Sequence, residues 1–171
     1  DDLRLDVWLM GYMLPVEREF VSPEFVRLGT QIACAEQIRS GVTTFNDMYF
    51  FEDDIAQATA DAGMRAVCGE SVMKYPAPDA PAFEDSIAYA REFIKKWKNH
   101  PLIVPAIAPH APYSTTPEIL RTCSNIAQEF DVPLHIHISE TAFEVENMRH
   151  EHGMPVVTYA KKQGIFVAKV I

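Results

Sequence analysis

The sequence predicts an α/β fold of parallel strands, and within that class part of a (β/α)₈ barrel. Three observations lead there. After an opening helix, β-prone apolar runs and helical stretches alternate, strand then helix four times, before a last strand. Neither phosphate-binding glycine pattern, GxGxxG or GxxxxGKS/T, occurs, which counts against a nucleotide-binding open sheet. A full barrel needs about 250 residues, and with 171 residues and ends that read as cut, the chain fits an internal portion of one. The start lacks an initiator Met, and Phe166-Val167-Ala168-Lys169-Val170-Ile171 has nothing after it to close a turn.

Each element has its own warrant. Trp8, Leu9, Met10, Tyr12, Met13 and Leu14 form an apolar patch whose helical continuation Pro15 should stop, because proline has no N–H to donate. Ser22 then Pro23 reads as N-cap and first helical residue. Apolar residues at Phe25, Val26, Ile32, Ala33 and Ile38 carry that helix over 23–39 until Gly41. The β-branched and aromatic run 42–49 is a strand, 53–61 a helix with Gly63 at its C-cap, and 65–73 the next strand. A loop with Pro76, Pro78 and Pro81 leads to a helix over 83–98, with Ile87, Ala90, Phe93, Ile94 and Trp97 on one face and basic residues in the last turn. The nearly continuous apolar run 102–108 suits a strand covered on both faces. Thr115 or Thr116, followed by Pro117 and Glu118, opens a helix to about Phe130. Residues 132–138 form a strand, 141–163 a helix broken near Gly153 and Pro155, and 165–171 the last strand.

Composition narrows the function classes. With 48% hydrophobic and 23% charged residues the chain can bury a sizeable core. A net charge of −9 and a pI near 5.1 leave no basic footprint for a nucleic-acid partner. No apolar run is long enough to span a bilayer, and Asp1-Asp2-Leu3-Arg4 has no signal-peptide character. Three cysteines, Cys34, Cys68 and Cys123, are too few for a disulfide framework and form no CxxC pair, so a reducing, cytoplasmic setting is expected with all three as packing residues. Met48, Met64 and Met73 read as core. His150 and His152 read as a solvated helix face, and His100 as a cation suited to a helix C-terminus.

Parallel strands gather their C-terminal ends on one side. Here those ends supply Asp47 through Glu52, then Glu70 and Ser71, then His110 with Tyr113, then His137 with Glu140. Hydrophobic collapse does not require such a set, and it suggests a polar pocket. In Leu134-His135-Ile136-His137-Ile138-Ser139-Glu140, histidines at i and i+2 on a strand share a face, and Glu140 falls at the strand exit. Imidazole suits zinc, and a carboxylate that is not a ligand can move the proton of a metal-bound water. Two core histidines satisfied by hydrogen bonds are the alternative. His110, between Pro109 and Pro112, is held on a stiffened loop, as a ligand contact or as a cap on backbone groups. Glu52 suits both a helix N-terminus and a ligand site.

The segments Gly41-Val42-Thr43-Thr44-Phe45-Asn46-Asp47-Met48-Tyr49-Phe50, Ala108-Pro109-His110-Ala111-Pro112-Tyr113 and His135-Ile136-His137-Ile138-Ser139-Glu140-Thr141 resemble the amidohydrolase superfamily. The similarity is to its 5′-methylthioadenosine/S-adenosylhomocysteine deaminases and, beside them, its triazine and ammeline hydrolases, and it covers essentially all of residues 1–171 as one partial barrel domain, roughly strands 2 to 6 of the (β/α)₈ barrel. The resemblance implies a metal-dependent barrel with one divalent ion, usually zinc, with iron or manganese as alternatives. It implies His137 as a metal ligand, Glu140 as the proton-shuttling carboxylate, His110 as a contact to the bound nucleoside and Glu52 as the acceptor of ribose hydroxyls. The implied reaction is attack of metal-bound hydroxide at C6 of the adenine ring, with Glu140 passing the proton to N1 and ammonia leaving. Its implied partner is a small-molecule nucleoside, not nucleic acid or membrane, with homo-oligomerisation left open. The family's first-strand HxH, sixth-strand histidine and eighth-strand aspartate fall outside residues 1–171, so those residues alone are expected to be inactive. An arginine that some relatives carry near Asp85 has no counterpart. A triazine-ring hydrolase is the alternative enzyme, since the same metal and carboxylate would serve it. A non-catalytic βα binding module, which would purify metal-free, is the alternative outside enzymology.

Overall fold

A computed structural model describes residues 2–171. Five strands, β1 (Thr44–Tyr49), β2 (Arg65–Val72), β3 (Ile103–Pro109), β4 (Pro133–Leu134) and β5 (Lys169–Val170), run parallel and lie side by side in chain order. A doubly wound open sheet reverses its strand order at a switch point. A strictly sequential order has none, and is that of an arc of a (β/α)₈ barrel. The register aligns Tyr49, the last residue of β1, with Glu70, so β2 runs two residues further toward the exit, to Val72.

Helices α1 (Leu5–Trp8), α2 (Leu14–Phe20) and α3 (Pro23–Arg39) precede the sheet. Pro15 does not end the first helical stretch. A wide π-helical turn, Leu9–Met13, precedes it, and the proline falls in the first turn of α2, where a missing N–H breaks no bond. Ser22 caps α3 as expected, its Oγ accepting from Phe25 N–H at 3.2 Å. Only Val26 and Cys34 of α3 are buried, and Phe25, Ile32 and Ile38 remain exposed.

Helices α4 (Glu52–Asp61), α5 (Phe83–Trp97) and α6 (Pro117–Phe130) alternate with β1 to β4 and pack on the sheet. Thr116, not Thr115, is the α6 N-cap. The core lies where β2 and β3 meet α5 and α6: Cys68, Val72, Ile103 and Ile107 pack with Phe93, Ile94, Trp97, Ile119, Leu120 and Ile126. Each fully covered aliphatic side chain contributes about 1.5–3 kcal/mol.

The last strands are shorter than the sequence suggests. The β4 ladder covers Pro133–Leu134, and beyond it single backbone bonds carry the extended chain to the exit: His135 N–H to Ile107 O at 3.0 Å and His137 N–H to His110 O at 3.0 Å. Helix α7 (Ala142–His152) and helix α8 (Val156–Lys162) are divided at Gly153, whose φ of 66° ends α7. Residues 165–167 form a 3₁₀ turn because Ile165 turns into the core, and Ser124 Oγ holds Gly164 O at 2.8 Å against α6. Only Lys169 and Val170 are left to pair with β4.

Gly69 is demanded by crowding. A Cβ there would stand 3.1 Å from Ala108 Cβ and 3.2 Å from Asp47 O, with His135 Cβ at 3.6 Å. Among the described residues no helix is long and apolar enough to cross a membrane.

Candidate active site

The strand exits open on a cavity of about 1130 Å³, lined by Met48 and Tyr49 at the end of β1, Ser71 and Met73 at the end of β2, His110 and Tyr113 after β3, and His137 after β4. Helices α1 and α7 close its sides through Leu5, Phe143 and their neighbours. Met48, expected in the core, is a half-buried part of this wall, whereas Met64 and Met73 are buried.

His110 and His137 stand edge to face, ring centroids 5.3 Å apart, and Tyr113 meets His110 the same way at 5.8 Å. Ser114 Oγ donates to Ala111 O at 3.2 Å and lies 2.8 Å from His110 Nδ1. That arrangement assigns the proton to Nδ1 of His110 and leaves Nε2 as an acceptor. Burial, and secondarily the neighbouring His137, push the His110 imidazole down to about 4, so it is neutral at physiological pH.

The two histidines of the HxH pair differ in kind. His135 has both nitrogens engaged across the sheet, Nε2 with Asn46 Nδ2 at 3.2 Å and Nδ1 with Asp47 O at 3.3 Å, and burial lowers its proton affinity. It is a satisfied, half-buried histidine that ties β1 to the chain just past β4. The His137 ring takes no hydrogen bond from the described residues, although its backbone N–H is held by His110 O. Among the described residues, no group of three or more His, Cys, Asp or Glu side chains gathers to hold a metal ion.

Glu140 is exposed, and its Oε2 accepts from Tyr113 Oη at 2.9 Å. Its backbone N–H donates to Glu144 Oε2 at 2.7 Å, and Glu144 N–H donates in turn to the N-cap Thr141 at 3.1 Å. Glu144 escaped the sequence reading, yet Thr141-x-x-Glu144 is a capping-box pattern that could have revealed it. Burial pushes its carboxyl up.

Glu52 does not line the cavity. It is fully buried at the start of α4, where its Oε1 accepts from Tyr49 N–H at 3.0 Å and its own N–H lies 3.4 Å from Glu70 Oε2. Burial, reinforced by Asp47, raises Glu52 well above the ordinary carboxylate range, and burial with Asp79 and Glu52 does the same to Glu70. The structure thus brings His110, His137 and Glu140 together and holds Glu52 apart, inside the packed wall.

Of the remaining histidines, His150 and His152 are exposed as expected, whereas His100 is not the expected helix-end cation, because its Nδ1 accepts the Leu102 backbone N–H and so carries no proton. The His100 ring packs edge-on against Trp97. Exposed His152 stacks on Tyr159 at the cavity's edge. All three cysteines are buried and unbridged.

The sequence model of the amidohydrolase family matches residues 1–169. The 5-methylthioadenosine/S-adenosylhomocysteine deaminase of Thermodesulfovibrio yellowstonii is 45% identical over 170 residues, covering 99% of this chain and 39% of that protein. The enzyme of the same name from Aquifex aeolicus is 42% identical, covering 99% and 40%. Among solved structures, an adenosine deaminase from Xanthomonas campestris with bound zinc superposes with a TM-score of 0.93 at 36% identity, over 96% of this chain and 38% of that one. Atrazine chlorohydrolase from Arthrobacter aurescens, complexed with zinc, shares the fold at 20% identity with a TM-score of 0.81, over 95% and 41%. The chain spans about two fifths of the length of the curated relatives it matches.

Proposed function

The chain belongs to the amidohydrolase family, and from that premise we propose that it contributes the proton-transfer and base-contacting side of an aminohydrolase site for 5′-thio-substituted adenosines. The observation that carries this reading is the convergence of His110, Tyr113 and His137, from two successive strand exits, at one cavity, with Glu140 tethered to Tyr113 beside them. Identities of 45% and 42% to deaminases of these nucleosides support the substrate class.

The residues present fit one position of a divalent metal site. The His137 imidazole, turned to the cavity and without a hydrogen bond from the described residues, is the group that would hold the ion. Zinc is the ion named with two solved relatives. Such an ion, when bound, lowers the pKa of a coordinated water to about 7. The chain's own residues do the rest. Glu140 carries the proton from the attacking water to the ring nitrogen N1. Neutral His110, its Nδ1 proton committed to Ser114, offers Nε2 as an acceptor to the bound base. The substrate is a small nucleoside. Unbridged buried cysteines are in keeping with a cytoplasmic enzyme.

A triazine-type ring hydrolase is the second reading, favoured by one observation: Glu52, the carboxylate that would accept ribose hydroxyls, does not face the cavity. The test uses the native polypeptide containing these residues, loaded with zinc. Ammonia release is followed from 5′-methylthioadenosine, S-adenosylhomocysteine and an aminotriazine. Chelator-sensitive deamination of the nucleosides is expected. Turnover of the triazine alone would replace the first reading by the second, and turnover of neither, with no metal bound, would leave a non-catalytic module.

A further inference from the structure

We propose that Tyr113 is a positioning residue for Glu140: its hydroxyl, donated to Oε2 at 2.9 Å, holds one carboxylate oxygen and so presents the other, Oε1, to the reacting proton. The inference rests on the proton-carrying role proposed for Glu140. Among the described residues nothing donates a hydrogen bond to Oε1.

Both partners are held from outside the contact. Tyr113 sits on a loop whose carbonyl oxygens are tied to Lys74, two residues past β2: Lys74 Nζ donates to Tyr113 O at 2.9 Å and Lys74 N–H to Ser114 O at 2.9 Å. Pro112 before it fixes its own φ. Its ring packs edge-on against His110, so the hydroxyl keeps its direction. On the other side, Ser139 takes a left-handed φ of 60°, a conformation L-residues avoid, directly before Glu140. The strained turn is held closed by Glu144, which accepts the Glu140 N–H at 2.7 Å. An exposed carboxylate is thus anchored through its backbone by Glu144 and through one oxygen by Tyr113, 27 residues before it. Proton transfer needs a donor and an acceptor within hydrogen-bond reach, so an unanchored Glu140 would spend much of its time out of reach. Burial and the adjacent Glu140 push the Tyr113 phenol upward, so it stays a donor at neutral pH.

The test is Tyr113→Phe in the native, zinc-loaded polypeptide, a change that keeps the ring and its packing on His110. We expect kcat to fall about tenfold, the loss of one hydrogen bond to a charged group, with KM within about twofold and zinc content unchanged. Infrared difference spectra supply a readout that does not depend on turnover. The carboxylate stretch of Glu140, identified as the band lost in Glu140→Gln, should shift in Tyr113→Phe. An unchanged kcat, a change confined to KM, or an unshifted band overturns the proposal. If the unaltered protein deaminates no nucleoside, it is the activity reading that fails. The infrared band then decides by itself whether Tyr113 holds Glu140.

Discussion

Replacing Glu70 with glutamine should stabilise the fold, and the gain should grow with pH. Glu70 is fully buried on β2, and its Oε1 has no hydrogen-bond partner unless a proton lies between it and Asp79, whose Oδ1 is also unpartnered. Burial and the Asp79 charge raise its proton affinity well above the usual 4.5, so the folded chain keeps that proton while the unfolded chain releases it. With one more proton bound in the folded state, stability is complete below pH 4.5 and declines by about 1.4 kcal/mol per pH unit above it, until the folded carboxyl ionises. Glutamine carries the hydrogen permanently and can donate it to Asp79, so it removes the decline. The half-buried His110, whose burial lowers its pKa to about 4, and His135, which burial also lowers, titrate in the opposite sense. They do so in both proteins, and the comparison cancels them. Urea unfolding of metal-free Glu70→Gln and unaltered protein at half-unit steps from pH 5 to 8 measures the effect. The stability difference should climb by about 1.4 kcal/mol per unit and then level off. A difference independent of pH across that range would mean that Glu70 is already ionised in the fold, and the buried shared proton would be refuted.

Gly69→Ala should lower the unfolding free energy by about 1–3 kcal/mol, because its methyl group would meet Ala108 Cβ at 3.1 Å and Asp47 O at 3.2 Å; an unaltered denaturation midpoint would show that the sheet yields there. His137→Asn should cut zinc content of the native polypeptide to well below one ion per chain, while His135→Gln, whose parent ring is occupied by Asn46 and Asp47 O, should leave it near the unaltered value. Equal losses in the two variants, by elemental analysis, would count against His137 as the ligand. The cavity lining carries Asp6, Glu17, Glu144, Glu146 and Glu151 against Lys74 and Arg4, and Arg4 is already paired with Asp6 at 3.1 Å. A 5′ substituent ending in a carboxylate should therefore be turned over about fivefold less efficiently than methylthioadenosine, the cost of roughly 1 kcal/mol of repulsion in a solvated cleft. Equal kcat/KM values would contradict the charge argument.

Helix starts were legible in the sequence because each is decided within a few residues. Ser22-Pro23 and Thr116-Pro117 carry both the capping oxygen and the pre-set φ of the first turn. The strand-exit positions of His110, His137 and Glu140 were legible for a similar reason: apolar runs end visibly, and polar residues follow. Pro15 misled because a proline forbids a helix interior yet suits a first turn, and only the preceding π-helical turn decides which of the two it occupies. The last strand misled because β-branched residues favour extended backbone locally, whereas Ile165 gains more by turning into the core.

The sequence by itself determined the kinds of element, their caps and the polar residues at the strand exits, since these rest on contacts a few residues apart. Tertiary structure decided everything that depends on sheet order and register. It made the sheet a sequential arc instead of a doubly wound sheet, and satisfied His135 through Asn46, 89 residues away, while leaving the His137 ring without a bond from the described residues. It closed Glu52 into the wall and set Tyr113 against Glu140. Side chains so far apart in the chain acquire partners only when neighbouring strands pair, and one residue of slip would turn each to the opposite face.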